Sequence, residues 1–256
     1  MIQEYKMNNN LPFTPKTKMA DVIHLDYRLI PIIGRFGIDF GFSNKTVKEV
    51  CDDYKINVCF FLEIINSYHN HEYFPHAELQ NFKASLIVDY LSNTHAYYLN
   101  VKVPEIEGYI AQIKKEVSIE NLKNIELLSN FFSEYKAELV NHLNREDTLV
   151  FPYISFLEET LKHRNFTANV VHKIKEESIE HYARHHENME LKLSDLKNLI
   201  IRHLPPIVCK EICQKLLTEL FRLEADLEDH SRIEDKVLVP KVMLLEQQIL
   251  EASETE

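Results

Sequence analysis

Apolar residues recur every three to four positions over four long stretches, residues 79–115, 119–161, 167–203 and 207–250, with charged residues filling the gaps. That pattern predicts amphipathic helices, each with one face to bury. Four such helices with short connections predict an up-down-up-down bundle. Three shorter patterns precede them, at 21–36, 44–53 with Ser43 as N-cap, and 57–67, with a turn at Gly37 and Gly41. They predict a small separate helical domain over 18–68. Residues 1–17, rich in Asn and interrupted by Pro12 and Pro15, read as a flexible lead. Residues 69–78 break the periodicity and read as a linker, 79–250 as the bundle, and 251–256 as a tail. Pro104, Pro152 and Pro240 fall inside or near the ends of long stretches, where each is expected to kink or finish its helix.

Composition agrees with an all-α class. The 256 residues contain four Gly and nine Pro against many Leu, Ile, Glu and Lys, which favours long helices over tight turns. A formal charge of −11 repels phosphate backbones, so nucleic acid is not an expected partner. No run of about 18 apolar residues occurs and the N-terminus lacks a signal-like apolar stretch. A cytoplasmic protein without membrane partners is expected. Cys51, Cys59, Cys209 and Cys213 are too sparse for a disulfide scaffold and read as reduced packing residues.

A repeated motif carries the chemistry. His142-Leu-Asn-Arg-Glu146-Asp147 with Pro152 beyond, and His230-Ser-Arg-Ile-Glu234-Asp235 with Pro240 beyond, share His, Glu, Asp and Pro at relative positions 0, 4, 5 and 10. A four-residue step puts His and Glu on one helix face, within the stripes Leu139, His142, Glu146, Leu149, Tyr153 and Leu223, Leu227, His230, Glu234, Val237, so each copy is half of a metal site. The copies lie 230 − 142 = 88 residues apart, the length of two such helices, which implies a pseudo-two-fold bundle holding two ions between its halves.

Pseudo-symmetry then asks the first and third helices for one histidine each. His95 lies in the stripe Val88, Leu91, His95, Tyr98, Leu99, with no other histidine between His76 and His142. In the third helix His186 shares a stripe with Ile179, Tyr182, Met189, Leu193 and Leu196, whereas His185 falls with His181, Asn188 and Lys192 on a polar side. The expected metal ligands are His95, His142, Glu146, His186, His230 and Glu234. Mixed imidazole and carboxylate donors suit iron better than a closed structural zinc site, although zinc or manganese would also accept them. Six ligands shared by two ions leave positions for a bridging oxo group or a diatomic ligand. Tyr98 and Tyr182 fall one turn from the outer histidines and read first as core aromatics. His69, His71 and His76 match no metal-site spacing and read as linker residues.

The repeated His-x-x-x-Glu-Asp-x-x-x-x-Pro signature resembles the hemerythrin-like, or HHE cation-binding, domain over about residues 79–250. The front segment, Met19-Ala-Asp-Val-Ile through Arg35-Phe-Gly-Ile-Asp-Phe40 and Lys45-Thr-Val-Lys-Glu-Val, resembles the N-terminal domain of the repair-of-iron-centres, ScdA-type family. The resemblance implies a non-haem di-iron protein of nitrosative and oxidative stress that restores damaged iron–sulfur clusters by supplying iron. Its implied partners are damaged or apo iron–sulfur proteins, oxygen and nitric oxide, and a homodimer is open to it. Its ligand set of four His and two bridging Glu maps onto the six positions above. One departure stands out: the family usually carries adjacent cysteines after Gly-Ile-Asp-Phe, where this chain reads Gly41-Phe42. Chemistry that needs those thiols is not expected, and the front domain reads as a docking piece.

The residues leave no catalytic group assigned. Cluster repair by iron supply competes with a hemerythrin-like module that binds or senses oxygen or nitric oxide. A di-iron reductase of nitric oxide or peroxide and a metal-free helical scaffold are the remaining readings.

Overall fold

The computed structural model describes residues 12–118, 122–183, 189–203 and 210–255. Among them the chain is all-α; no strand occurs, and a single isolated bridge pairs Lys18 with Thr46. The chain divides into two compact units, residues 1–93 and 94–256. The division falls inside a helix, later than the 69–78 linker expected from the sequence.

The first unit contains α1 (Met19–Leu25), α2 (Ile30–Arg35), α3 (Val47–Asp53), α4 (Val58–His69), α5 (His76–Leu79) and most of α6 (Ala84–Tyr97). The stretch predicted as one helix over 21–36 is broken: a 3-10 turn at Tyr27–Leu29 separates α1 from α2, which starts with Pro31 in its first turn. Gly37, at φ +73°, ends α2 as a left-handed cap that a β-carbon would strain. Thr46, and not Ser43, caps α3. The Thr46 hydroxyl accepts from Glu49 N–H and the Glu49 carboxylate accepts from Thr46 N–H, a complete capping box. Ser43 itself sits at φ +51°, in the turn before it.

The core of this unit is aromatic, with Phe36 edge-on to Phe61 at 4.9 Å and Phe60 edge-on to Phe82 at 5.3 Å. Asn66 pins the incoming chain by bonding both the N–H and the carbonyl of Phe13. His69 serves the structure of this unit, since its Nδ1 meets Asp26 Oδ2 at 2.9 Å, beside the bidentate grip of Arg28 on the same carboxylate. Burial pushes the Asp26 carboxyl up, but the bonds from Arg28 and His69 outweigh it and hold the group at about 2.

The second unit is the bundle: the last residues of α6, then α7 (Val103–Glu116), α8 (Leu122–Arg145), α9 (Phe151–His163), α10 (Ala168–Glu176), α11 (Ile179–Ala183), α12 (Met189–Asn198), α13 (Lys210–Ile233) and α14 (Val239–Thr255). α7 packs on α8, α8 on α12, α12 on α13 and α13 back on α7, a closed ring of four. Tyr98, Ile106, Phe132, Tyr135, Leu139, Leu196 and Leu220 fill its centre. Ion pairs stitch the ring: Lys102 to Glu219 and Lys197 to Glu224, both largely buried, and the more exposed Lys192 to Glu138.

Prolines do not end these helices. Instead π segments at Tyr98–Lys102, Glu146–Val150 and Glu234–Leu238 carry the helix through Pro104, Pro152 and Pro240, each proline six residues after the segment begins. Proline cannot donate and its ring crowds the carbonyl four residues back. A widened turn just before it relieves both problems, and the residue preceding each proline reaches back five positions: Val103 N–H to Tyr98, Phe151 N–H to Glu146, Val239 N–H to Glu234. A fourth π segment, Leu199–His203, lies in the third helix.

That third helix, predicted as continuous over 167–203, is interrupted after α10. The Ser178 hydroxyl donates to Glu246 of α14 at 3.2 Å, and Glu246 also accepts from Ile179 N–H at 2.8 Å and Tyr153 O–H at 2.6 Å. A buried carboxylate from another helix therefore caps α11.

Asp26, depressed below its ordinary 3.8, contributes stability that is present above that value and lost as pH falls toward about 2. Allowing for solvent around Arg28, the loss is on the order of 1–2 kcal/mol, and Asp26→Asn should remove it, as denaturant titrations at stepped acid pH would measure. Glu246→Ala strips the acceptor from Tyr153 O–H and Ile179 N–H and should cost roughly 2–3 kcal/mol, with Glu246→Gln costing less; thermal unfolding reads both.

Candidate metal centre

The last turn of α6, the π segment after α8, and the end of α13 with the π segment that follows it bring side chains from three helices to one point inside the bundle. His95, Glu146, His230 and Glu234 are all buried there, and each offers one donor atom such that all four atoms lie within 4.8 Å of one another. His230 Nε2 stands 3.0 Å from Glu234 Oε1, the four-residue step of the motif realised on one face. His95 Nε2 lies 3.2 Å from His230 Nε2 and 3.4 Å from Glu146 Oε2. His142 Nε2 lies 3.4 Å from Glu146 Oε1 on the more accessible side. In the first helix the inward residue is His95, while its neighbour Ala96 is exposed.

Five of the six sequence-derived positions are thus adjacent, and the four most buried converge. The sixth, His186, lies outside the described residues, as does His185; His181 is exposed. Tyr98 is fully buried and presents its ring to His230 edge-on, with centroids 5.7 Å apart. Tyr182 stands under the Arg145 guanidinium at 5.5 Å. Arg145 and Tyr182 line a cavity of about 30 Å³ together with His142, Glu146 and Glu234, and Phe151 and Leu238 form its apolar wall.

One stripe assignment is displaced. Leu149, expected beside Glu146 in the buried row, is 52% exposed, and Val150 is buried in its place. The π segment that begins at Glu146 adds one residue to the turn, so the inward register moves by one beyond it.

Electrostatics make the cluster uncomfortable without a cation. Burial, and then the neighbouring Glu234 charge, push the Glu146 carboxyl well above the usual carboxylate range. Burial lowers His95, against the opposing bond from Asp147. Two carboxylates and two imidazoles with this little access to water fit a cation that would replace their lost hydration. Sequence reasoning missed two residues that fix His95. Asp147 Oδ1 meets His95 Nδ1 at 2.9 Å, and Phe151 stacks on the same ring with centroids 5.3 Å apart and planes 18° from parallel. The Asp at position 5 of both motif copies was the available signal.

The family model described as "Hemerythrin HHE cation binding domain" matches residues 102–242, more than half of the chain. The chain belongs to the hemerythrin HHE family. The matched span holds both copies of the motif and begins after His95. This HHE chain is also similar to an "Iron-sulfur cluster repair protein ScdA" from Staphylococcus haemolyticus (strain JCSC1435), with 20% identity over 213 residues, 82% of this chain and 90% of the relative.

Cys51 is buried and its thiol is pushed up to about 12 by that burial, so it offers no thiolate near neutral pH.

If repulsion between buried carboxylates destabilises the metal-free chain, Glu146→Gln should raise its melting temperature near neutral pH. A carboxyl with a raised folded value costs stability as pH rises above its ordinary 4.5, so the variant should also flatten that decline. Calorimetry of chelator-treated protein across pH would measure both.

Proposed function

We propose that this chain is a non-haem di-iron protein that acts in the cytoplasm, under nitrosative and oxidative stress, to repair iron–sulfur clusters by supplying iron. The observation that carries the reading is the convergence of His95, Glu146, His230 and Glu234, one imidazole–carboxylate pair from the second motif copy meeting donors from two other helices within 4.8 Å. His142 and His186 complete the proposed ligand set, with the carboxylates shared between two ions. The similarity to a protein named for cluster repair supports the iron-supply role. Bound iron would contribute redox chemistry and positions for a small ligand; the protein's own part is to hold it and limit access.

Partial exposure supports a metal that can leave. His142 keeps about a fifth of its side chain accessible, against a few per cent for His95 and His230, and it borders the small cavity. Cys51, Cys59 and Cys213 carry thiols, which accords with a reducing compartment, and no described helix is long and apolar enough to cross a membrane.

A second reading rests on that cavity. At about 30 Å³ it has room for roughly two water molecules or one diatomic molecule, which suits reversible oxygen or nitric oxide binding, or reduction of such a ligand.

Metal analysis of purified protein should find about two iron ions per chain, falling below one on combined Glu146→Ala and Glu234→Ala replacement. Iron from the loaded chain should then rebuild the cluster of an apo iron–sulfur protein. Tight retention of iron, with a spectral change on oxygen or nitric oxide that reverses on removal, would favour the second reading; absence of bound transition metal would reject both. His142→Ala should lower the melting temperature of the iron-loaded chain, because metal held by the folded state adds to its stability.

A further inference from the structure

We infer that Asp147 is the positioning residue for His95, fixing the ring tautomer and orientation that turn its Nε2 toward the metal cluster. The inference rests on the metal reading above and goes beyond the six ligands.

The geometry is a hydrogen bond between helices. Asp147 belongs to the π segment Glu146–Val150, and His95 to α6, yet Asp147 Oδ1 lies 2.9 Å from His95 Nδ1. An ionised carboxylate only accepts hydrogen bonds, so Nδ1 must carry the hydrogen. In a neutral ring that leaves the Nε2 lone pair free to face a cation. This Nε2 is the atom at 3.2 Å from His230 Nε2 and 3.4 Å from Glu146 Oε2, inside the cluster.

The same turn provides three functions from nearby positions. Glu146 points inward as a donor, Asp147 reaches across to His95, and Phe151 supplies the plane on which the His95 ring stacks. Successive helical residues diverge by about 100° around the axis, which is why neighbours can serve the interior and the adjoining helix at once. Hydrogen bond and stack hold the ring from two directions, so its orientation is set by the second bundle helix and not by its own backbone. A carboxylate bound to the far nitrogen of a metal-facing imidazole also makes that imidazole a stronger donor. The Asp at position 5, shared by both motif copies, thereby gains a physical reason in the first.

Two variants of the full chain test this, Asp147→Ala and Asp147→Asn. Nitrogen-15 histidine spectra of metal-free protein should show His95 with its hydrogen on Nδ1, lost or redistributed in Asp147→Ala. Iron affinity, read by competition with a chelator of known strength, should fall roughly 10- to 100-fold in Asp147→Ala. Asp147→Asn should recover much of that loss, since the Asn carbonyl oxygen can still accept from Nδ1, and its metal-free melting temperature should match the parent. Parent-like iron affinity in Asp147→Ala would overturn the inference while leaving the metal centre intact. So would affinity lost to the same extent in both variants together with metal-free stability, which would mark a packing role. If the parent chain binds no iron, the metal reading falls and takes this inference with it.

Discussion

Two carboxylates held side by side in a helical interior repel each other and have given up most of their water. Glu146 and Glu234 are 7% and 3% exposed, so their burial needs an opposing charge. The imidazoles of His95 and His230 stand within reach, but burial weakens the hold of His95 on a proton, so that ring serves better as a neutral donor. A divalent or trivalent ion satisfies all four groups at once. Much of the rest of the bundle can be understood as the scaffold that tolerates this arrangement: a dry cluster of Leu, Ile, Phe and Tyr on one side of it and ion pairs at the helix seams.

The widened turns connect backbone chemistry to the site. Proline would ordinarily interrupt a helix, yet here each of three prolines follows a π segment that keeps the helix running. Two of those segments begin on the carboxylates themselves, Glu146 and Glu234. The extra residue shifts the inward row, which puts Val150 in the core and Leu149 on the surface. It lies beside the turn from which Asp147 and Phe151 reach His95. A straight α-helix would keep the motif's four-residue step but send the following side chains elsewhere.

The third helix differs from the others in being broken and tied. Glu246 caps its α11 segment from α14, and Tyr182 within that segment borders the small cavity under Arg145. In the first unit the loop after Gly37 carries Phe40 and Phe42, whose rings contact each other at 6.0 Å.

Hydrophobic periodicity determined the helical class, the four long bundle segments and, through the doubled His-x-x-x-Glu-Asp motif, the residues of the second and fourth helices near the cluster. Those features are local: a four-residue step has one outcome on a helix, whatever packs against it. The same reasoning placed His95 on an inward stripe, and His186 by symmetry, although the latter lies outside the described residues. The sequence misassigned Ser43, Leu149 and the unbroken third helix because each is overridden by a feature that periodicity does not show: the Thr46–Glu49 capping box, the π turn before Pro152 and the Glu246 cap reaching from α14. Tertiary structure alone decided that Asp147 and Phe151 hold His95, and that four donors fall within 4.8 Å. Contacts between helices far apart in the chain depend on their rotation and depth of packing, which no pattern along one helix encodes.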